Sequence, residues 1–234
     1  MTFSMKRIQA IFIKDYKDLL RNGYVLFTAI IPLIFALFLK GDSAPESASL
    51  IFNLALVISG CFVQAALIAE EKEKNTLRGL LLSPASTFEI LIGKSALSFF
   101  ITALILVGCT FITDFPIQNP GIFILVNVIS LCIYISMGTL IGLLSRTVME
   151  SSLIGTPVMI LFGMGSVIPY AFENEIVTEI LMYLPNIHYE MTIIDLADGQ
   201  SFSSISESLL ILAGWFIITI VSTLFVYRRR QFDK

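Results

Sequence analysis

The chain has 234 residues, 56% of them hydrophobic and 14% charged, with a mean hydropathy of +0.86. A soluble domain averages roughly 45–50% apolar and about 25% charged residues, so this is the composition of an integral membrane protein, and it excludes a disordered chain. A helical span takes about 20 residues, which leaves no length for a fused catalytic, nucleotide-binding or receptor domain, and the net charge of −3 says less than the side on which each charge falls.

In chain order, Lys6 and Arg7 open the sequence without the apolar core of a signal peptide, so no cleaved leader is expected. From Met5 to Arg21, Ile8, Ile11, Phe12, Tyr16, Leu19 and Leu20 recur at helical spacing. Lys6, Arg7, Lys14, Lys17 and Asp18 fall mostly on the other face, which predicts an amphipathic helix on the inner leaflet or packed on protein. Six apolar segments follow, at 24–39, 49–69, 95–113, 121–144, 153–171 and 209–227. The expected fold is therefore all-α and polytopic: six transmembrane helices in one domain over 1–234, preceded by the amphipathic helix. Pro32 and Pro157 lie inside the first and fifth segments, where they would kink or locally open a helix. Asn53, Gly60 and Gln64 recur near one face of the second span; interhelical hydrogen bonding is favoured there, and Asn53 and Gln64 are the candidates for a substrate path. Gly138 and Gly142 have the spacing of a close helix contact. Between the fifth and sixth spans, 172–208 reads as two short outer helices split by Pro185 and ending at the turn Asp198-Gly199. Cys61, Cys109 and Cys132 lie in apolar runs and read as buried packing residues.

With both termini on one side, that side collects every Lys and Arg except Lys40. The excess of basic residues on inner loops places both termini in the cytoplasm. The opposite face then carries Asp42, Glu46, Asp114, Glu173, Glu175, Glu179, Glu190, Asp195, Asp198 and Glu207.

The most informative stretch is the connection after the second span. Glu70, Glu71 and Glu73 stop membrane entry, then Leu77, Leu80 and Leu81 form a short apolar face before Pro84 ends it. A helix over about 74–82, on the cytoplasmic surface, reads as a docking element. Enzyme chemistry finds little support. The sole histidine, His188, excludes an HExxH site, and packing explains it better than a pH-sensitive pair with Glu190. Gly93-Lys94-Ser95 fails as a phosphate loop because Phe88 stands where the first glycine belongs, so Lys94 reads as an interfacial residue reaching toward headgroups.

Glu71, Glu73, Thr76-Leu77, Leu80-Leu81, Pro84 and Gly93-Lys94, taken with the six-span layout, resemble the ABC-2 type permease family, the membrane subunits of ATP-binding cassette exporters. Asn75 departs from the glycine often found before the Thr, and no arginine follows the Pro185 region. The resemblance implies a permease without an ATPase site of its own. ATP and Mg would bind a separate ATP-binding subunit, seated on Glu70, Glu71, Glu73, Thr76, Leu77, Leu80, Leu81 and Pro84. It further implies a second permease copy, identical or homologous, in a cell membrane, with the bacterial plasma membrane as the expected location. No nucleic-acid partner and no metal are expected. The apolar path and acidic outer face favour an amphipathic cargo, best an antimicrobial or toxin-like peptide. The alternatives are an immunity or sensing protein that binds a peptide without transport, and an exporter of drugs or lipids.

Overall fold

A backbone in hydrocarbon must satisfy its own hydrogen bonds, and the described residues do so with helices. The structure, a computed structural model, describes residues 4–40, 44–74, 76, 86–165, 167, 179–200 and 202–232. Eight helices organise the described residues: α1 (Met5–Arg21), α2 (Gly23–Phe38), α3 (Pro45–Glu73), α4 (Thr87–Ile112), α5 (Pro120–Leu144), α6 (Val148–Gly163), α7 (Pro185–Ala197) and α8 (Phe202–Phe232).

Four of them, α3, α4, α5 and α8, are long and apolar enough to cross a membrane. A fifth span counts if α1 and α2, bent by 88° at their junction, are taken as one. The six expected spans are thus found as four or five. The segment expected at 24–39 is the 16-residue α2, about 24 Å long at 1.5 Å per residue. The segment expected at 153–171 begins earlier, as α6, and stops at Gly163; most of its remainder lies outside the described residues.

Burial ranks the spans. The apolar window of α3 is 89% buried and that of α8 only 17%, so α3 is the central pillar and α8 leaves most of its surface outside the bundle. Contacts with α2, α4, α5, α6 and α7 surround α3. Its middle, Leu56–Phe62, opens into π-helical turns, and every residue of that stretch is buried. Gly138 and Gly142 of α5 are packed against this pillar. A Cβ on Gly138 would fall on the Cys61 carbonyl, and one on Gly142 would lie 2.7 Å from the Ala65 carbonyl, so the glycine pair does set a close backbone approach.

The end where α3 and α5 finish and α4 and α6 begin carries Arg7, Lys14, Lys72, Lys74, Lys94 and Arg146; it is called the basic end below. At the opposite, acidic end, Phe52, Phe115 and Phe123 pack with ring centroids 5.3–6.1 Å apart. Pro185 is the first residue of α7, where its missing amide is harmless. After α7, Gly199 turns the chain at φ 70°, a conformation that favours glycine.

Candidate coupling site at the basic end

The amphipathic helix supplies the first half of the site. Ile8, Ile11, Asp15 and Leu19 form the buried stripe of α1, so an aspartate takes a place in an apolar row. The stripe packs on α4, close enough that a Cβ on Gly93 would meet the Ile11 side chain at 3.0 Å. Beside that glycine, Lys94 is 2% exposed. It is not an interfacial residue reaching outward: its Nζ lies 3.0 and 3.1 Å from the two Asp15 oxygens and 3.0 Å from Glu71 Oε1. Lys14 pairs with Glu71 as well, and lies 3.3 Å from Asp18. Three carboxylates and two ammonium groups from α1, α3 and α4 therefore share one cluster. Its acidic oxygens come within 4.8 Å of one another, and the two lysines supply the compensating charge that a metal would otherwise provide. A buried charge is tolerated when paired in this way.

Further ties converge from the same helices. Asn22, at the α1–α2 corner, accepts from the Val25 amide and donates to Glu70 Oε2 at 3.0 Å. Glu70 also pairs with Lys74 at 2.5 Å, which pushes the Lys74 ammonium pKa above its ordinary value. Glu89 closes a capping box with Ser86 at the start of α4, and its carboxylate accepts from the Ser4 amide at 2.6 Å and from Arg7. Lys72 donates to the Leu143 carbonyl at 2.6 Å and to the Ser145 carbonyl, covering the open end of α5. Glu73 accepts from the Val148 amide at 3.0 Å, at the start of α6.

Of the residues assigned to docking, Glu70, Glu71, Glu73 and Thr76 are placed here. Thr76 donates to the Glu71 carbonyl at 3.2 Å and to Glu71 Oε2 at 2.9 Å. Glu71 is 5% exposed and faces inward, toward Lys14 of α1 and Lys94 of α4. Leu77, Leu80, Leu81 and Pro84, and with them most of the expected helix 74–82, lie outside the described residues. A cavity of about 200 Å³ opens beside Lys14, Asp15, Glu70, Glu71 and Thr76.

Asn53 and Gln64 sit elsewhere, both fully buried in α3. Gln64 accepts from Ser98 of α4 at 2.6 Å and donates to Thr139 of α5 at 3.0 Å. Asn53 accepts from the Tyr134 hydroxyl at 2.9 Å and donates to the Phe162 carbonyl and to Glu190 Oε1, each at 2.9 Å. Their amides thus tie α3 to α4, α5, α6 and α7. His188 lies 3.1 Å from Ser208 Oγ, and burial pushes its pKa below the ordinary value.

Sequence reading missed Asp15 and misplaced Lys94. Both carried a signal: Asp15 lies four residues from Ile11 and from Leu19, and Lys94 four from Ile90 and three from Leu97, each on a buried stripe. A charge on such a row requires a partner.

No curated protein matches the chain. Residues 36–225 match the ABC-2 family transporter protein profile. That match runs from the end of α2 nearly to the end of α8 and includes the last turns of α3 that hold Glu70, Glu71 and Glu73, so the chain belongs to the ABC-2 family of transporter membrane proteins.

Proposed function

We propose that this chain is the permease of an ATP-driven exporter and that a separate ATP-binding subunit drives it by pressing on the segment 76–82. The family assignment supports a permease paired with an ATP-binding subunit in general; the entry point and route of the motion rest on the basic-end cluster. Glu71 carries the reading. It stands in the last turns of α3, five residues before Thr76, and bonds Thr76, Lys14 of α1 and Lys94 of α4 together. A push after α3 would reach α1 and α4 through buried ion pairs and α5 and α6 through Lys72 and Glu73, so several helix ends would rock as one body.

In the full transporter, two permease copies of six spans each would enclose the path, with both termini in the cytoplasm, the side on which an excess of Lys and Arg usually lies. The cargo is an amphipathic or hydrophobic molecule, best a cationic peptide, released at the acidic face. Asn53 and Gln64, tied into the helix framework, would shape the path's wall rather than bind cargo through free amides.

The test is co-purification. Isolated from its native membrane in mild detergent, the protein should bring with it a subunit that hydrolyses ATP, and Leu80→Asp with Leu81→Asp should release that subunit while the permease still folds. An intact protein that carries no ATPase would favour the immunity or sensing reading instead.

A further inference from the structure

Viewed down its axis at about 100° per residue, α1 divides into three sectors. The first is the buried stripe of Ile8, Ile11, Asp15 and Leu19. Beside it runs a second apolar row, Met5, Ile13, Tyr16 and Leu20, with Gln9 its one polar member. The four apolar side chains of that row are 47–69% exposed, and Phe12, between the two rows, packs against the core. The third sector is basic: Lys6, Lys17 and Arg21 are exposed and make no ion pair among the described residues. A helix lying between water and one protein wall needs a single apolar face, so the second row calls for another apolar neighbour.

The surrounding helices fix the direction in which that row points. Ser59 of α3 donates to the Ala29 carbonyl, and a Cβ on Gly108 of α4 would meet Leu33 at 2.8 Å, so α2 runs alongside the spans. Turned from it by 88°, α1 lies across their basic ends. Ile11 meets Gly93, whereas Arg7 reaches Glu89, one turn nearer the start of α4, and Lys14 reaches Glu71 in the last turn of α3. Arg7 and Lys14 thus look toward the helix ends. Met5 and Tyr16 lie on the opposite side of α1 and look back along the spans, toward the depth at which a bilayer's hydrocarbon begins. Past the corner, Tyr24 and Phe27 in the first turns of α2 are also exposed and continue the apolar surface. Lys6, Lys17 and Arg21 fall between these two directions, on the side turned away from the protein, where headgroups would stand.

We propose that α1 is seated in the leaflet at the basic end, with Met5, Ile13, Tyr16 and Leu20 among acyl chains and Lys6, Lys17 and Arg21 on the phosphates of anionic phospholipids. Basic residues flanking an inserted apolar helix face attract such headgroups, each adding to the binding. A soluble partner would reach the basic flank but not a row that faces back along the spans. A second copy is a poorer occupant, because an isologous contact would set the same basic flank against itself. The proposal does not rest on ATP-driven export. It gives the lipid a hold on the ion cluster, since Lys14 and Asp15 of the same helix bind Glu71 and Lys94.

The test uses the full-length protein in nanodiscs, with Trp215→Phe removing the single native indole. Chain-brominated phosphatidylcholine should quench Tyr16→Trp about threefold or more over Ala10→Trp, which stands in the basic sector. In plain phosphatidylcholine doped with brominated lipid, half-maximal quenching of Tyr16→Trp should need about tenfold less phosphatidylglycerol than phosphatidylcholine. Lys6→Gln with Lys17→Gln and Arg21→Gln, all at exposed positions, should bring the two lipids within about twofold of each other. Equal quenching of the two tryptophan variants, or an equal requirement for the two lipids, would overturn the proposal. So would a disulfide between Tyr16→Cys residues of two copies, or cross-linking of that cysteine to a co-purified subunit, since either assigns the row to protein.

Discussion

Among the described residues, Lys94 is the one buried cation. It is almost fully enclosed, and its neutralising partners come from two other helices, Asp15 from α1 and Glu71 from α3. Removing one member of a buried pair leaves the others desolvated and uncompensated, at a cost of about 3–5 kcal/mol. Lys94→Met should therefore lower stability by that amount, read from denaturation in detergent. Adding Asp15→Leu should recover about 0.5–3 kcal/mol of it, since directly coupled sites are not additive. Simple additivity of the two losses would show that the pair is not coupled. Part of this chemistry is legible in the sequence. The row Ile8, Ile11, Leu19 places Asp15 on a buried face, whereas nothing local to Glu71 announces that α1 will cover it. That burial is a tertiary fact, created by the bend at Asn22 and the small Gly93. Asn53 is legible as a polar residue held between helices; that Tyr134, Phe162 and Glu190 meet it is not, because the four lie on separate helices far apart in sequence.

Among the elements, α3 bears the tightest constraint. Its π-helical stretch over Leu56–Phe62 faces α5 at Gly138, where no side chain fits over the Cys61 carbonyl. Gly138→Ala should destabilise by about 1–3 kcal/mol through overpacking. On the outlying helix α8, a methyl group added to Gly214 would meet nothing within 4 Å, so Gly214→Ala should instead stabilise by about 1 kcal/mol through helix propensity. Thermal unfolding of the two variants side by side checks both signs; a neutral Gly138→Ala would mean that α3 and α5 do not touch backbone to backbone at Cys61. The glycine spacing in α5 is readable from the sequence, but the π-helical turns are not, since no residue in Leu56–Phe62 forces an extra residue into a turn. Hydropathy likewise finds α6 yet misjudges its limits. The helix is capped early by Thr147 and ends at Gly163, where the Phe162 and Gly163 carbonyls are held by Asn53.

At the scale of the molecule, the all-helical membrane fold is legible because apolar runs of span length leave the backbone few alternatives, and the four long spans lie where hydropathy places them. The count of six is not recovered, because α2 and α6 are short and α1 turns away by 88° rather than extending a span. What the sequence hides most is the joining of helix ends. At the basic end, side chains near the last turns of α3 reach α1, the α1–α2 corner, α4, α5 and α6, and the proposed coupling requires those ends to move as one body when the ATP-binding subunit closes. Spin labels at Tyr16 of α1 and Phe88 of α4, both exposed, test this in the assembled complex. The distance between them, measured by pulsed electron resonance, should be the same with and without ATP, while the distance from Tyr16 to Phe202 at the acidic end of α8 changes. A Tyr16–Phe88 distance that shifts on ATP binding would contradict this coupling, because it would mean that the buried ion pairs part during the stroke instead of transmitting it.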